Sequence, residues 1–231
     1  MTRQQVRGLF VTGTGTGVGK TFVAASIARA LAAAGHRVGV YKPAASGCRL
    51  VEGKLLSDDA LALWEAAGRQ GDLEQVCPQR FAAPLAPHLA ARAEGREIDA
   101  ELLRRGLDPW LACSEIVVVE GAGGLLSPLT EEEYVADLAA DFGFPLVVVA
   151  ANVLGTIHQT LAALVAAATF RDGLDVAGVV LNQPCAEPPD ESCRSNLDEL
   201  RKRCVPRVLA AVGWQDETSL AAIDWYTIAK T

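Results

Sequence analysis

Leu9-Phe10-Val11-Thr12-Gly13-Thr14-Gly15-Thr16-Gly17-Val18-Gly19-Lys20-Thr21 joins an apolar run to a glycine-rich turn, a lysine and a hydroxyl. An apolar run of this kind reads as a buried strand, and the Ala-rich stretch after Lys20 reads as a helix. The turn between them has the chemistry that a triphosphate needs. Glycines let backbone N–H groups converge on phosphate oxygens, the helix N-terminus adds partial positive charge, Lys20 reaches the terminal phosphates, and Thr21 can ligate Mg2+. The strict pattern G-x-x-x-x-G-K-[ST] would put glycine at 14, where Thr14 stands between Gly13 and Gly15. The loop is therefore a P-loop variant. Glycines alone would only relieve crowding; the preceding strand and the Lys20-Thr21 pair carry the reading.

Working outward, apolar runs recur at Leu9–Val11, Val38–Tyr41, Ile116–Val119, Leu146–Ala150, Val176–Leu181 and Val208–Val212. Helical composition fills most of the gaps, at Lys20–Ala34, Ser57–Ala67, Asp99–Ala112, Tyr134–Phe142, Thr156–Phe170 and Asp190–Cys204. Strands covered on both faces read as unbroken apolar runs, and parallel neighbours need crossovers, usually helices. The expected fold is three-layer α/β, P-loop NTPase-like, with a mostly parallel central sheet flanked by helices. Pro184–Ser192 reads as a surface loop and Ser219–Thr231 as a half-buried final helix.

With 231 residues, 50% hydrophobic and 21% charged, the chain suits one large core, so a single domain over residues 1–231 is expected. The formal charge of -7 and the lack of a Lys/Arg cluster argue against a nucleic-acid partner. Apolar stretches are broken before the roughly 20 residues that a membrane span requires, so no membrane role is expected. Six cysteines form no C-x-x-C pair and no signal peptide is apparent, which points to reduced thiols and a cytoplasmic protein. With His36, His88 and His158 scattered, the cysteines suggest no zinc site.

Ligands of open α/β sheets gather beyond the carboxyl ends of the strands. Glu120 closes the run Ile116-Val-Val-Val-Glu120 and is followed by Gly121-Ala122-Gly123-Gly124. A carboxylate ending a buried strand is costly unless paired, and it sits where P-loop proteins keep an acid near the metal. Thr21, Glu120 and one further acid would satisfy Mg2+, which keeps several waters and phosphates of its own. Asp59, in Ser57-Asp58-Asp59-Ala60-Leu61, is the candidate third, although an acid there also suits a helix start. After the second strand, Lys42 and Ser46 in Tyr41-Lys42-Pro43-Ala44-Ala45-Ser46-Gly47 face either the phosphates or solvent.

Together these segments, with Ala86-Pro87-His88, Glu94-Gly95, Val119–Gly124 and Leu154-Gly155, resemble the dethiobiotin synthetases over nearly the whole chain. That family shares the extra loop residue, which accounts for the failure of the strict pattern. The resemblance implies an ATP- and Mg2+-dependent ligase of biotin synthesis. Its substrates would be 7,8-diaminopelargonic acid and CO2, and its route a carbamate and a carbamic-phosphoric anhydride. It implies that Lys20, Lys42, Thr16 and Ser46 serve the reaction, and that Thr21, Asp59 and Glu120 hold the metal. Gly17, Val18, Gly19, Lys20, Thr21, Phe22, Asp59, Glu120, Gly121, Ala122, Gly123, Asn182 and Gln183 would bind the nucleotide, with the Asn182 amide reading the base. It further implies a homodimer with substrate at the interface, contacting Ser46 and Gly155-Thr156-Ile157-His158, where a helix N-terminus receives a carboxylate. His158 is given no proton transfer. The chain departs from the family at Gly15 and Gly17, where other members carry acids, and at Gly213-Trp214-Gln215, beside the base. Two other classes stay open. A partitioning-type switch ATPase shares the fold, though this loop has no lysine before Lys20, and a related ATP-dependent amide-forming enzyme is the second.

Overall fold

All six apolar runs pair into one sheet. In the computed structural model, which describes residues 6–186 and 191–230, they form β1 (Arg7–Gly13), β2 (Val38–Tyr41), β3 (Ile116–Glu120), β4 (Leu146–Ala151), β5 (Val176–Asn182) and β6 (Val208–Val212). The order is β6-β5-β4-β1-β3-β2 and every pairing is parallel. β3 and β4 are buried along their whole length, which is why their sequences are unbroken in Val, Ile and Leu except for Glu120 and the alanines. Each such side chain contributes roughly 1.5–3 kcal/mol on burial.

The five longer helices are α1 (Lys20–Ala33), α2 (Asp58–Ala66), α3 (Val135–Phe142), α4 (Thr156–Thr169) and α5 (Cys193–Arg203). α1 packs on β1 and β3 and ends before Gly35, whose φ of 91° stops the helix. Ser57 Oγ caps α2 by accepting from Ala60 N–H at 3.2 Å. Asp190, the expected start of α5, and residues 187–190 of the expected loop lie outside the described residues, as does Thr231. Among the described residues no helix is long and apolar enough to cross a membrane.

Two expectations need correction. The segment Asp99–Ala112 is not one helix but two, Ala100–Arg105 and Asp108–Cys113. The break is at Gly106, where a Cβ would lie 2.3 Å from Tyr41 Oη. Tyr41 donates to the Leu103 carbonyl at 3.0 Å, satisfying the first helix end, and Pro109 brings no N–H with which to continue the ladder. Ser219–Thr231 likewise holds two short turns, Thr218–Ala221 and Trp225–Ile228, instead of one helix. Asp224 starts the second by accepting from Thr227 N–H at 3.0 Å, and buried Trp225 donates its indole N–H to the Leu220 carbonyl at 2.8 Å. Lys230 then meets the sheet through Gly8 N–H at 2.8 Å.

Candidate active site

The register of the sheet brings the candidate residues together. Val11 lies opposite Glu120 and Tyr41 opposite Val119, so the phosphate loop, Lys42 and Glu120 leave three adjacent strands at one edge. They open onto a cleft of about 600 Å³ lined by Thr16, Gly17, Gly19, Lys20, Thr21, Lys42, Ser46, Asp59, Glu120, Ala122 and Gly123. On its other wall the sequence marks only Ala86 and Pro87, through the family resemblance and without a role. That wall comprises Pro84, Leu85, Ala86 and Pro87 with Ser127 and Pro128. The Pro-rich run and the Ser-Pro step after the glycines were the visible signal.

The charged centre is unusual for its depth. Lys42 is 3% exposed and Glu120 1% exposed. Lys42 Nζ lies 2.6 Å from Glu120 Oε1 and 2.9 Å from Asp59 Oδ2, and donates to the Gly121 carbonyl at 3.4 Å. Thr21 Oγ1 donates to the same Glu120 oxygen at 2.9 Å. Burial pulls Lys42 down, but the Glu120 and Asp59 carboxylates outweigh it and hold the ammonium above the ordinary lysine range. Burial pushes Glu120 up against the pull of Lys42. Burial also acts upward on Asp59, yet Lys42 and Thr21 leave it below its ordinary value. A buried ion pair of this kind is poor evidence for stability, since desolvation cancels much of its attraction.

Glu120 Oε2 is buried with no hydrogen-bond partner among the described residues. An orphaned carboxylate oxygen beside a threonine hydroxyl and a second carboxylate is an oxygen-only donor set. Among the described residues no three His, Cys, Asp or Glu side chains cluster for a metal. The oxygen-only set of Thr21, Asp59 and Glu120 fits Mg2+, a hard cation usually held by one or two carboxylates together with water and phosphate.

The phosphate loop is open where a ligand would enter. Gly17 and Gly19 have φ of 76° and 92°, and Gly19 precedes α1 with no side chain capping the first N–H groups. Lys20 Nζ donates to the Gly15 carbonyl at 2.8 Å, and burial, opposed by Glu120, lowers its pKa to about 8. A Cβ at Gly15 or Gly17 would meet nothing within 4 Å, whereas one at Gly19 would fall 2.1 Å from Asn182 Nδ2.

Asn182 is buried behind the loop, outside the cleft lining. Its Nδ2 donates to the Val18 carbonyl at 3.0 Å, and its Oδ1 has no partner among the described residues. The Gln183 N–H is bonded to the Val212 carbonyl at 2.8 Å. Val18, Phe22 and Gly121 pack beside the loop and cleft without lining it. Gly155, Thr156, Ile157 and His158 start α4 beyond β4, apart from this cleft, with Gly155 at φ 93° and no side-chain cap.

A larger hollow, about 1460 Å³, lies at the opposite edge between Arg37, Arg104, Leu107, Ser114 and Phe144. Its arginines are already ion-paired, Arg37 with Glu115, Arg104 with Glu133 and Asp141, and Arg105 with Asp99 and Glu101. The smaller cleft, with its orphaned acceptor and two lysines, is the candidate site.

Sheet order, phosphate loop and buried acid define a P-loop nucleotide-binding α/β protein. A ParA family ATPase from Chlorobium tepidum has this fold, with a TM-score of 0.57 at 15% identity over 93% of this chain and 87% of its own. A signal recognition particle receptor FtsY from Elizabethkingia anophelis gives 0.53 at 14% identity, covering 95% and 62%. Residues 7–221 match the family profile described as an AAA domain. An ATP-dependent dethiobiotin synthetase from Anaeromyxobacter dehalogenans is 47% identical over 94% of both chains, and that from Rhodopirellula baltica is 41% identical over 88% of this chain and 82% of its own. The counterpart from Pseudomonas aeruginosa is 39% identical over 93% and 92%. The chain belongs to the ATP-dependent dethiobiotin synthetase family.

Proposed function

We propose that this protein is an ATP-dependent carbon–nitrogen ligase that joins CO2 and 7,8-diaminopelargonic acid into the cyclic urea dethiobiotin, releasing ADP and phosphate. The observation that carries the reading is Lys42, buried between Glu120 and Asp59 and facing a phosphate loop. Family membership supports the ATP-dependent step of biotin synthesis. In the reaction one amine takes up CO2 as a carbamate, and a carbamate oxygen attacks the γ-phosphorus as the bond to ADP breaks. The second amine attacks the carbonyl carbon of the resulting anhydride and expels phosphate.

Such chemistry asks the protein for positioning and charge neutralisation more than for covalent help. The backbone N–H groups of Gly17, Val18, Gly19 and the start of α1 cradle the phosphates, with Thr21 and Phe22 in its first turn. Lys20 exchanges the Gly15 carbonyl for a phosphate oxygen. Lys42 neutralises the carbamate and the phosphoryl group in transit, while Thr16 and Ser46 donate to their oxygens. Thr21, Asp59 and Glu120 would hold Mg2+, which when bound neutralises phosphate charge. Gly121, Ala122 and Gly123 bring backbone close to the nucleotide, and Asn182 and Gln183 meet its base.

The protein acts as a cytoplasmic homodimer, each copy folding as one domain over residues 1–231. The uncapped start of α4 at Gly155–His158 receives the substrate carboxylate bound mainly by the other copy. Supporting this, Leu154, just before α4, is 80% exposed and Val165, on α4, is 62% exposed, leaving apolar side chains for a second chain to cover. The deciding assay supplies diamine, bicarbonate, Mg2+ and ATP, follows phosphate, and seeks the cyclic urea by mass spectrometry. Diamine-dependent phosphate with matching product is expected; diamine-indifferent ATP turnover without product would reject the reading.

A further inference from the structure

Seven residues beyond Glu120, Ser127 ties together the turn that lies against the phosphate loop. Its Oγ accepts from Gly124 N–H at 2.8 Å, its N–H donates to the Gly124 carbonyl at 3.0 Å, and its carbonyl accepts from Val135 N–H, at the start of α3, at 2.9 Å. The turn and the loop meet backbone to backbone. A Cβ on Gly124 would lie 3.3 Å from Gly13 O and 3.6 Å from Gly15 Cα. A Cβ on Gly123 would lie 2.3 Å from Ser127 Oγ and 3.8 Å from Thr16 Oγ1, so the two hydroxyls flank the same glycine on the cleft wall.

A serine hydroxyl carries one proton and accepts through its lone pairs. Here Gly124 N–H fills the accepting role, and among the described residues no acceptor takes the proton. Three bonds to backbone fix the residue on the wall of the cleft that Thr16 and Lys42 also line, with the proton left to donate.

We propose that Ser127 is a further substrate-contacting residue, whose hydroxyl donates to an anionic oxygen of the group that attacks the terminal phosphate. The inference rests on the ligase reading, in which that group is the carbamate. It assigns Ser127 to the attacking anion and leaves the nucleotide to the phosphate loop. The hydrogen bond from Gly124 holds the oxygen in place on the cleft wall and leaves the proton for a ligand oxygen.

The test compares the full-length protein with S127A and S127T, measuring steady-state turnover with diamine, bicarbonate, Mg2+ and ATP, and ATP affinity separately by calorimetry. In S127A, kcat is expected to fall about tenfold or more while the ATP Kd stays within about twofold, the loss expected of one preorganised donor. S127T, which keeps the hydroxyl, is expected to recover most of the rate. Turnover of S127A within about twofold of the parent protein would overturn the assignment. So would a parallel loss of ATP binding, or a threonine variant that restores nothing, since both mark a merely structural residue. Diamine-indifferent phosphate release by the unsubstituted protein would instead sink the ligase reading, so the two failures appear in different proteins.

Discussion

The two edges of the sheet differ in what their charges still lack. At the amino edge the hollow is the larger, but Arg104 spends its guanidinium on Glu133 and Asp141, both at 2.6 Å, and its neighbours are paired too. At the carboxyl edge Lys42 and Glu120 are far more deeply buried, and yet among the described residues Glu120 Oε2 has no partner and Lys20 donates to a loop carbonyl alone. Volume therefore does not locate function in this molecule. Unfinished electrostatics marks the candidate site, because a buried carboxylate oxygen without a partner costs free energy that water, an ion or a ligand can return.

The sharpest way to break this contrast is to remove Lys42. Lys42→Met takes the cation from two carboxylates and leaves Glu120 buried and uncompensated, so a loss of about 3 kcal/mol or more in stability is expected. Turnover should fall about 10³-fold. Thermal unfolding and the phosphate assay measure the two effects separately. Because Lys42→Met confounds folding with chemistry, Glu120→Gln provides the control. It keeps the shape of the side chain and a partner for Thr21, and should lose activity with a smaller drop in melting temperature. Full activity in both variants would mean that the cleft is not the site.

Next in size is the phosphate loop, where glycines of one turn should respond in opposite ways. Gly19→Ala forces a Cβ to 2.1 Å from Asn182 Nδ2 in a left-handed conformation, which should cost about 2 kcal/mol and most of the ATP affinity. Gly15→Ala meets nothing within 4 Å and should leave the unliganded fold unchanged. Calorimetry with ATP and melting curves for both variants separate backbone need from mere small size. Equal tolerance at the two positions would deny Asn182 its place behind the loop.

Lys20 makes a prediction in which stability and affinity move in opposite directions. Its folded pKa of about 8 lies below the ordinary lysine value of about 10.4. Between these values the unfolded chain binds the extra proton, so this group's contribution to stability rises with pH across that window and is lost as pH falls through about 8. A triphosphate needs the ammonium form. ATP binding should therefore take up a proton and weaken as pH rises through about 8, by up to about tenfold per unit. Calorimetry in buffers of different ionisation heat counts that proton. No uptake would mean that Lys20 stays charged in the free protein.

What the sequence made legible follows from how local each signal is. The strand-loop-helix at residues 9–21 and the acid ending β3 are written in consecutive residues, and the structure brings them together at one sheet edge. The break after Arg105 was only half legible: Gly106 and Pro109 are breakers written in the segment, but the Tyr41 hydroxyl that donates to the Leu103 carbonyl and fills the space beside Gly106 is distant in sequence. The cleft's second wall was less legible: Ala86-Pro87 entered only through the family resemblance, and Pro84, Leu85 and Ser127 carried no reading until the fold set them on the wall of the cleft that Lys42 lines. Asp59 lay between: a helix-start acid by its sequence, and a partner of Lys42 only through the packing of α2 against α1 and β2.

The smallest expected effect tests the quiet edge. Arg104→Ala removes a guanidinium that bridges Glu133 and Asp141 at a third of full exposure, where screening by water leaves such pairs about 1 kcal/mol or less. Glu133 belongs to the segment that runs from the glycines of the cleft to α3, so the variant also asks whether that segment depends on the far edge. Its hydrogen bonds give the answer. Leu129 N–H bonds the Glu133 carbonyl, Glu133 N–H bonds Thr130 Oγ1, and Ser127 bonds Gly124, so the segment is held by its own backbone and hydroxyls whether or not the carboxylate is paired. Arg104→Ala should therefore melt a few degrees lower, less in high salt, and turn over within about twofold of the parent. A large loss of turnover with normal melting would show that charge at the amino edge reaches the cleft, and that the separation of the two edges is not as complete as their hydrogen bonds imply.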